Sequence, residues 1–486
     1  MSQIEMKNNS VEIKNFAYNS VILTISNVIL KAANFLFLPV YTKYLTPAEL
    51  GVSDTVTNFT AFILPLLICG FDSAFSVFYF DKEDPVRFKK VFNTVQFVMM
   101  RISAIVIIFA ILARPISEIL FGSDDYVIAI DIALLGVILN LWMLAYSLHI
   151  RMQGRMVVIG VVNIITSLTM LLLNIFFVVV MKMGYFSLIL STTIAYAVQC
   201  ILFWALGKIR LEKGYYDKIL LRKMLRYALP MVPITVVNWV LSLSDRYIVL
   251  FYWGEASVGL YGIAQRFVTV LNIVVSSVNI AFTTFAFANV DNEDANVKYI
   301  KILNYVYLLL IIVVFSISCF AETIIKIMTD ASYYSSYKLL QPLMFGQLCY
   351  CVSTIIGYGF AYVKKSNYFI IPTSIAAMLN LVLNILFIPR YGVYAATVTT
   401  FIGYLAMMYI TYFCANKLYP CRYEIKKISI VLFLEYVLAG AVRDQVFIFQ
   451  VFVWILGLII IAVAFSKSIK ELYMSLKGVL QRRIQN

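Results

Sequence analysis

Residues 227–283 read YALPMVPITVVNWVLSLSDRYIVLFYW (227–253), GEASVGLYG (254–262) and IAQRFVTVLNIVVSSVNIAFT (263–283). Each apolar run is long enough to cross the roughly 30 Å of a bilayer core. We read two membrane helices joined by a tight outer turn. In the second, Gln265, Thr269, Asn272, Ser276, Asn279 and Thr283 alternate four and three apart. At about 3.6 residues per turn this spacing makes one continuous polar stripe. Arg266 lies at its edge. The first helix carries a shorter stripe, Asn238, Ser242 and Asp245, with Arg246 beside it. Hydrocarbon satisfies no hydrogen bonds, so such stripes must face protein or water. The two helices are therefore expected to wall a wet, cationic cavity.

The rest of the chain repeats this character. Of 486 residues, 62% are hydrophobic and only 13% are charged, and the mean hydropathy is +0.89. A soluble protein of this size needs far more surface charge. We expect an all-α polytopic membrane protein. Fourteen spans are placed at roughly 17–40, 50–78, 91–113, 126–148, 157–181, 184–206, 228–252, 256–288, 300–320, 336–362, 368–389, 393–415, 426–442 and 446–466. The polar start, MSQIEMKNNSVEIKN, lacks a small-residue cleavage site, so the first span is read as retained.

The net charge of +14 has a topological meaning here, not a nucleic-acid one. Of the 39 Lys and Arg, 28 fall in or beside alternate connections, starting with the N-terminal tail. Seven fall in or beside the other set, and four lie within spans: Lys31, Arg101, Arg246 and Arg266. That bias places both termini in the cytoplasm of a multi-pass protein of the bacterial inner membrane. The connections are too short for a soluble catalytic head. The single histidine, His149, cannot build a histidine metal site. No phosphate-binding glycine loop suggests nucleotide-driven transport, and the seven cysteines read as buried thiols.

There is an internal repeat. Tyr44 precedes Gly51 by seven, as Tyr252 precedes Gly259. Later, LLLNIFFVVVMKMGYFSLILSTTIAY (171–196) resembles LVLNILFIPRYGVYAATVTTFIGY (381–404), matching Asn174 to Asn384 and Gly184 to Gly392. The offset is six spans, so both halves have one orientation. The expected domains are a cytoplasmic tail (1–16), an N-lobe of helices 1–6 (17–206), a basic linker (207–227), a C-lobe of helices 7–12 (228–415), helices 13–14 (416–466) and a basic tail (467–486).

Span one has its own stripe: Ser20, Thr24, Asn27, Lys31 and Asn34. A lysine at the centre of a membrane helix costs about 2.5–3.5 kcal/mol on insertion scales, which function or an ion pair must offset. The substrate-binding candidates are Lys31, Arg246, Arg266, Asn27, Asn34, Gln265 and Asn272. Asp54 and Asp245 are the ion-coupling candidates; Asp54 shares a face of span two with Asn58. Asp72, Asp131 and Glu435 are further carboxylates in or near spans.

The stretches LPVYTKYLTPAELGV, YALPMVP…LSLSDRYIVLFYWGEASVGLYGIAQRF and LNLVLNILFIPRYGVYAATVTTFIGYL resemble bacterial polysaccharide flippases for O-antigen or capsule repeat units, in the multidrug/oligosaccharidyl-lipid/polysaccharide exporter superfamily. The resemblance implies two six-helix lobes around a central cavity lined by helices one, two, seven and eight, with helices thirteen and fourteen appended. Lipid II flippases, also similar, bear cavity arginines on helices one and eight, where this chain has Lys31 and Arg266. Gln265 stands where an acidic residue would precede that arginine. The implied function is translocation of an undecaprenyl-diphosphate-linked oligosaccharide from the inner to the outer leaflet by alternating access, for surface polysaccharide biosynthesis. The implied partners are that glycan, membrane lipids, and the polysaccharide polymerase and chain-length machinery; nucleic acid is not among them. No cofactor is expected beyond a coupling cation, proton or sodium. Two other readings are a cation-coupled multidrug exporter of the same fold, which wants an acidic cavity, and a membrane-embedded glycan-modifying enzyme, which wants a reactive histidine or a large outer loop.

Overall fold

Thr46 starts the first long helix, α2 (Pro47–Ile68), by a capping box. Its Oγ1 accepts the Glu49 amide at 3.3 Å, and Glu49 Oε2 accepts the Thr46 amide at 2.8 Å. Two otherwise orphaned donors are thus satisfied, and Pro47 sits where its missing N–H costs nothing. Cys69 (φ 50°) and Gly70 (φ 73°) end the helix in left-handed backbone. A computed structural model describes residues 35–474 of the chain, except 36, 82, 289–293 and 363–365. All regular structure among the described residues is helical.

Unit 1, Met1–Gly259, contains α1 (Leu38–Tyr44), α2, α3 (Phe71–Phe78), α4 (Arg87–Ala110), α5 (Ala113–Phe121), α6 (Val127–Met152), α7 (Met156–Ile175), α8 (Phe186–Leu206) and α9 (Lys218–Ala228). It also holds the start of α10 (Val232–Ala288). Helix α6 is central, packing on α2, α4 and α8. Phe71, Phe75, Phe92, Leu141 and Met224 are fully buried around it. Unit 2, Leu260–Asn486, holds the rest of α10, then α11 (Ala295–Cys319), α12 (Ala321–Met328), α13 (Tyr337–Tyr362), α14 (Ile370–Leu418), α15 (Ile425–Val442) and α16 (Phe447–Ala464). Here α13 packs on α11 and α14, and α15 and α16 pack on each other and on α11.

Ten helices among the described residues are long and apolar enough to cross a membrane. Two of them, within α10 and α14, bend at single glycines with non-helical dihedrals, Gly254 and Gly392. The ranges expected for spans two to fourteen are mainly helical, and span two is broken at Cys69 and Gly70. Span one, 17–40, lies outside the described residues apart from 35 and 37–40. The exposed side of α16 carries Ile448, Phe452 and Val463, a face suited to lipid. The protein is a multi-pass, all-helical membrane protein.

The tight turn expected between two of the helices is shorter than its glycines suggest. Two helices meet within GEASVGLYG as expected, but only Gly254 (φ 73°, ψ 179°) departs from helix and Glu255 resumes it. The repeat explains this. Gly254 is equivalent to Thr46, and Glu255 to Pro47, so the new helix starts where α2 starts. The equivalence also shows in contacts. A Cβ on Gly51 would overlap the Glu255 carbonyl, and one on Gly259 would overlap the Pro47 carbonyl. Equivalent residues of the two repeats thus cross at one reciprocal, backbone-to-backbone contact. Apolar burial drives no helix association inside lipid, so small residues that permit close approach carry the packing instead. The second matched pair behaves alike: Gly184 (φ 60°) and Gly392 (φ 67°) are both left-handed.

Candidate functional site

In unit 1 the expected polar face of α10 meets α2. Arg246 Nη1 donates to Asn58 Oδ1 at 2.7 Å, and the Arg246 amide donates to Asp245 Oδ1 at 2.9 Å. Asp245 is buried and Arg246 half-buried. Asp54, half-buried, lies one turn before Asn58 on α2. Asp54, Asp245 and Arg246 all take part in further interactions. One turn beyond Asn58, Phe62 packs on Trp239 with ring centroids 4.1 Å apart, and Trp239 packs on Tyr247 at 5.5 Å. Trp239 stands two turns before Arg246, so aromatic and cationic groups share one helix face.

The hydrogen-bond donors on these two helices that are buried without an acceptor among the described residues include Asn58 Nδ2, Trp239 Nε1 and Tyr247 Oη. Buried donors are normally satisfied, and each orphan calls for an explanation. A cation surrounded by spare donors is suited to an anion. The sequence marked Arg246 and Asn58 but not the aromatic pair, because an apolar span offers no way to single out one Trp. The side chain of Asn238, expected in the same stripe, lies outside the described ones.

In unit 2 the long stripe of α10 divides. Asn272 Oδ1 accepts a short hydrogen bond from Gln347 Nε2. Asn279 Oδ1 accepts from Thr354 Oγ1 at 3.2 Å, and Thr283 Oγ1 pairs closely with Tyr358 Oη. Each pair is 75 residues apart, as two parallel helices in register require. Asn272, expected as a substrate contact, is therefore held by α13. Gln347, Thr354 and Tyr358 were missed, although they are seven and four apart and form a stripe of their own.

Thr269 and Ser276, by contrast, are exposed, and their hydroxyls bond back to Gln265 O at 2.9 Å and Asn272 O at 2.7 Å. Gln265 and Arg266 are half-buried, and Gln265 Nε2 donates to Tyr261 Oη at 3.1 Å. Arg266 takes part in further interactions. The stripe thus has a packed side and an open side, and Arg266 stands at its start.

Asn27, Lys31 and Asn34 lie outside the described residues. Arg101 is exposed, bonds Tyr216 Oη at 3.0 Å and stacks over that ring at 5.0 Å. Asp72 is exposed, and Asp131 is half-buried with Oδ1 unsatisfied. Glu435 on α15 is fully buried, and neither carboxyl oxygen has a partner among the described residues. It nests against Gly457 of α16, where a Cβ would come 2.5 Å from Oε2. His149 is tied up by Tyr79 Oη at 2.7 Å and Gln153 at 2.9 Å. No metal-binding group of His, Cys, Asp and Glu occurs among the described residues.

The polysaccharide biosynthesis protein family matches residues 16–287, more than half of the chain. An uncharacterized membrane protein of Methanocaldococcus jannaschii is 29% identical over 208 residues, 38% of this chain. The match spans only 41% of that curated relative. Among solved structures, the lipid II flippase MurJ in an inward closed conformation aligns over 93% of this chain and 100% of its own, with a TM-score of 0.70 and 17% identity. An inward-facing multidrug resistance MATE family transporter of the MOP superfamily aligns over 85% and 99%, with a TM-score of 0.60 and 15% identity. A MOP superfamily transporter from Pyrococcus furiosus, described by a binding pocket of reverse polarity, aligns over 85% and 96%, with a TM-score of 0.58 and 15% identity. At such identities the likeness is one of fold alone. The helical architecture, its internal repeat and the family match converge: the chain belongs to the polysaccharide biosynthesis protein family and has the fold of the MOP superfamily exporters.

Proposed function

We propose that the protein is a flippase that carries an undecaprenyl-diphosphate-linked oligosaccharide repeat unit from the inner to the outer leaflet of the bacterial cytoplasmic membrane by alternating access. The observation that carries this reading is Arg246, a cation within an apolar helix, with Asn58, Trp239 and Tyr247 offering spare donors on the same two helices. A diphosphate leaving the headgroup region needs such compensation along its route, and charge-assisted hydrogen bonds supply it. Arg266 supplies a second cation from unit 2, and Lys31 is assigned a third. The exposed hydroxyls of Thr269 and Ser276 and the amide of Gln265 suit a glycan. The polysaccharide polymerase and chain-length machinery are the assigned partners downstream. A cation-coupled multidrug exporter of this fold would need a net acidic site instead, and the cationic groups on α10 argue against it.

Asp54 is assigned to the coupling cation, proton or sodium. Asp54→Asn is expected to abolish the ion dependence of transport at normal protein levels. Ion-dependent export that continues unchanged would reduce Asp54 to a counter-charge. Both termini are assigned to the cytoplasm. In a cysteine-free background, Gln445→Cys is expected to react with an impermeant maleimide added outside intact cells, whereas Lys213→Cys stays unreactive. Labelling at 213 reverses the assigned orientation.

A further inference from the structure

Unit 1 holds a cavity away from the faces just described. Its volume is about 990 Å³, at the top of the roughly 300–1,000 Å³ that ligand clefts occupy. It lies over α6, between α4 and α8, and its walls are apolar and aromatic: Met100, Trp142, Ile201 and Trp204. Trp142 and Trp204 leave 40% and 63% of their surface open. Both belong to spans, so the occupant they face comes from the bilayer rather than from water.

One end of this cleft is closed by the chain that leaves α8. Arg155 Nη1 donates to the Leu206 carbonyl at 3.0 Å, which caps the helix end. Lys208 then takes a left-handed conformation (φ 54°), uncommon for a residue with a side chain. Ile209 is buried as an anchor, and Lys208 and Arg210 on either side of it are exposed at the cleft rim. The strap is then fastened to α4. The Glu212 amide donates to Asn93 Oδ1 at 2.5 Å, the Asp217 amide donates to Thr94 Oγ1 at 3.1 Å, and Tyr216 packs on Phe97. The rim is therefore built in advance, which lowers the ordering cost of binding.

The rim carries positive charge without a carboxylate of its own. Glu212, the nearest acid along the strap, lies 3.6 Å from Lys89, and no ion pair engages Lys208 or Arg210 among the described residues. Gln96 supplies an independent mark. It is 4% exposed and lines the cleft; its Nε2 is spent on the Trp142 carbonyl at 3.0 Å, and its Oε1 is buried without a donor. A ligand that fits has an acyl chain for the tryptophans, a phosphate for the two cations and a hydroxyl for Gln96. We propose that this cleft binds one anionic glycerophospholipid, of the phosphatidylglycerol type, from the leaflet on the strap side. The segment from Lys208 to Arg226 is the most basic connection in the chain, which places that leaflet on the cytoplasmic face.

Native mass spectrometry of the purified full-length protein tests this, with phosphatidylglycerol and phosphatidylethanolamine of identical chains as probes. Wild type is expected to retain one phosphatidylglycerol, with at least about tenfold preference over phosphatidylethanolamine. The Lys208→Gln, Arg210→Gln pair should lose that preference. Ala205→Trp should fill the cleft and lose the lipid while keeping both cations. Arg222→Gln with Lys223→Gln, which removes the same charge from neighbouring α9, should retain it. No preference in wild type, or an undiminished preference in either cleft variant, overturns the proposal.

Discussion

Arg246→Ala and Arg266→Ala are each expected to leave the protein in the membrane and to stop export of the polymer. The proposed flippase function needs positive charge where the diphosphate crosses apolar depth, and these two residues are its proposed sources. Loss of one charge-assisted contact weakens the interaction by roughly 1.5–3 kcal/mol, or about ten- to hundredfold in a rate or affinity. Arg246→Ala also removes the donor to Asn58, leaving one more unsatisfied group between α2 and α10. Arg266→Lys should fall between wild type and alanine, since a point charge replaces a bidentate fork. Lys31→Ala should match the arginine losses, and Lys31→Arg should keep most activity. Arg101→Ala is the mild control, because Arg101 is exposed and engaged with Tyr216. Complementation of a flippase-deficient strain, with surface polysaccharide measured beside protein level, separates transport from folding. Full export by stably expressed Arg246→Ala and Arg266→Ala proteins would rule out these cations as diphosphate contacts.

Gly259→Val and Gly51→Val are expected to unfold or mispack the protein outright. Each added side chain would begin inside a carbonyl of the facing helix, so backbone must move. Overpacking costs about 1–3 kcal/mol where side chains can yield, and more where they cannot. The two substitutions strike one contact, so the double variant should be much less than additive. Gly214→Ala is the control, since nothing lies within 4 Å of its missing Cβ and its φ is not left-handed. Thermal unfolding in detergent gives the measurement. A melting temperature for Gly259→Val equal to that of Gly214→Ala would refute the reciprocal crossing.

Much of this architecture was legible in residue order because the repeat fixes backbone needs. Gly51 with Gly259, and Gly184 with Gly392, are spaced alike because each pair performs one backbone task twice. The same repeat marks where the tight turn falls. Thr46 and Gly254 occupy equivalent places, so the turn is confined to Gly254 and the rest of GEASVGLYG begins the next helix, although its two further glycines resemble turn chemistry. The site was legible only in part. Periodicity showed that the face bearing Asn272 and Asn279 must meet polar groups, not whether those groups were ligand or protein. Gln347, Thr354 and Tyr358 answered for that side, and a pairing between helices 75 residues apart has no local signal. Arg246 was visible because a charge inside an apolar run is conspicuous. Trp239 and Tyr247 were not, because aromatic residues in spans are mostly packing. The lipid cleft was equally hidden: concavity arises from three helices, and no single stretch displays it.

The account rests most directly on transport itself. Purified protein in liposomes should move a fluorescent undecaprenyl-diphosphate-linked oligosaccharide between leaflets, measured as label that becomes accessible to an impermeant quencher. Wild type is expected to translocate the labelled lipid well above protein-free vesicles, and the Arg246→Ala, Arg266→Ala double variant to fall to that background. Equal rates for the double variant and wild type, or no translocation by folded wild type, would contradict a cationic route for a diphosphate-linked glycan.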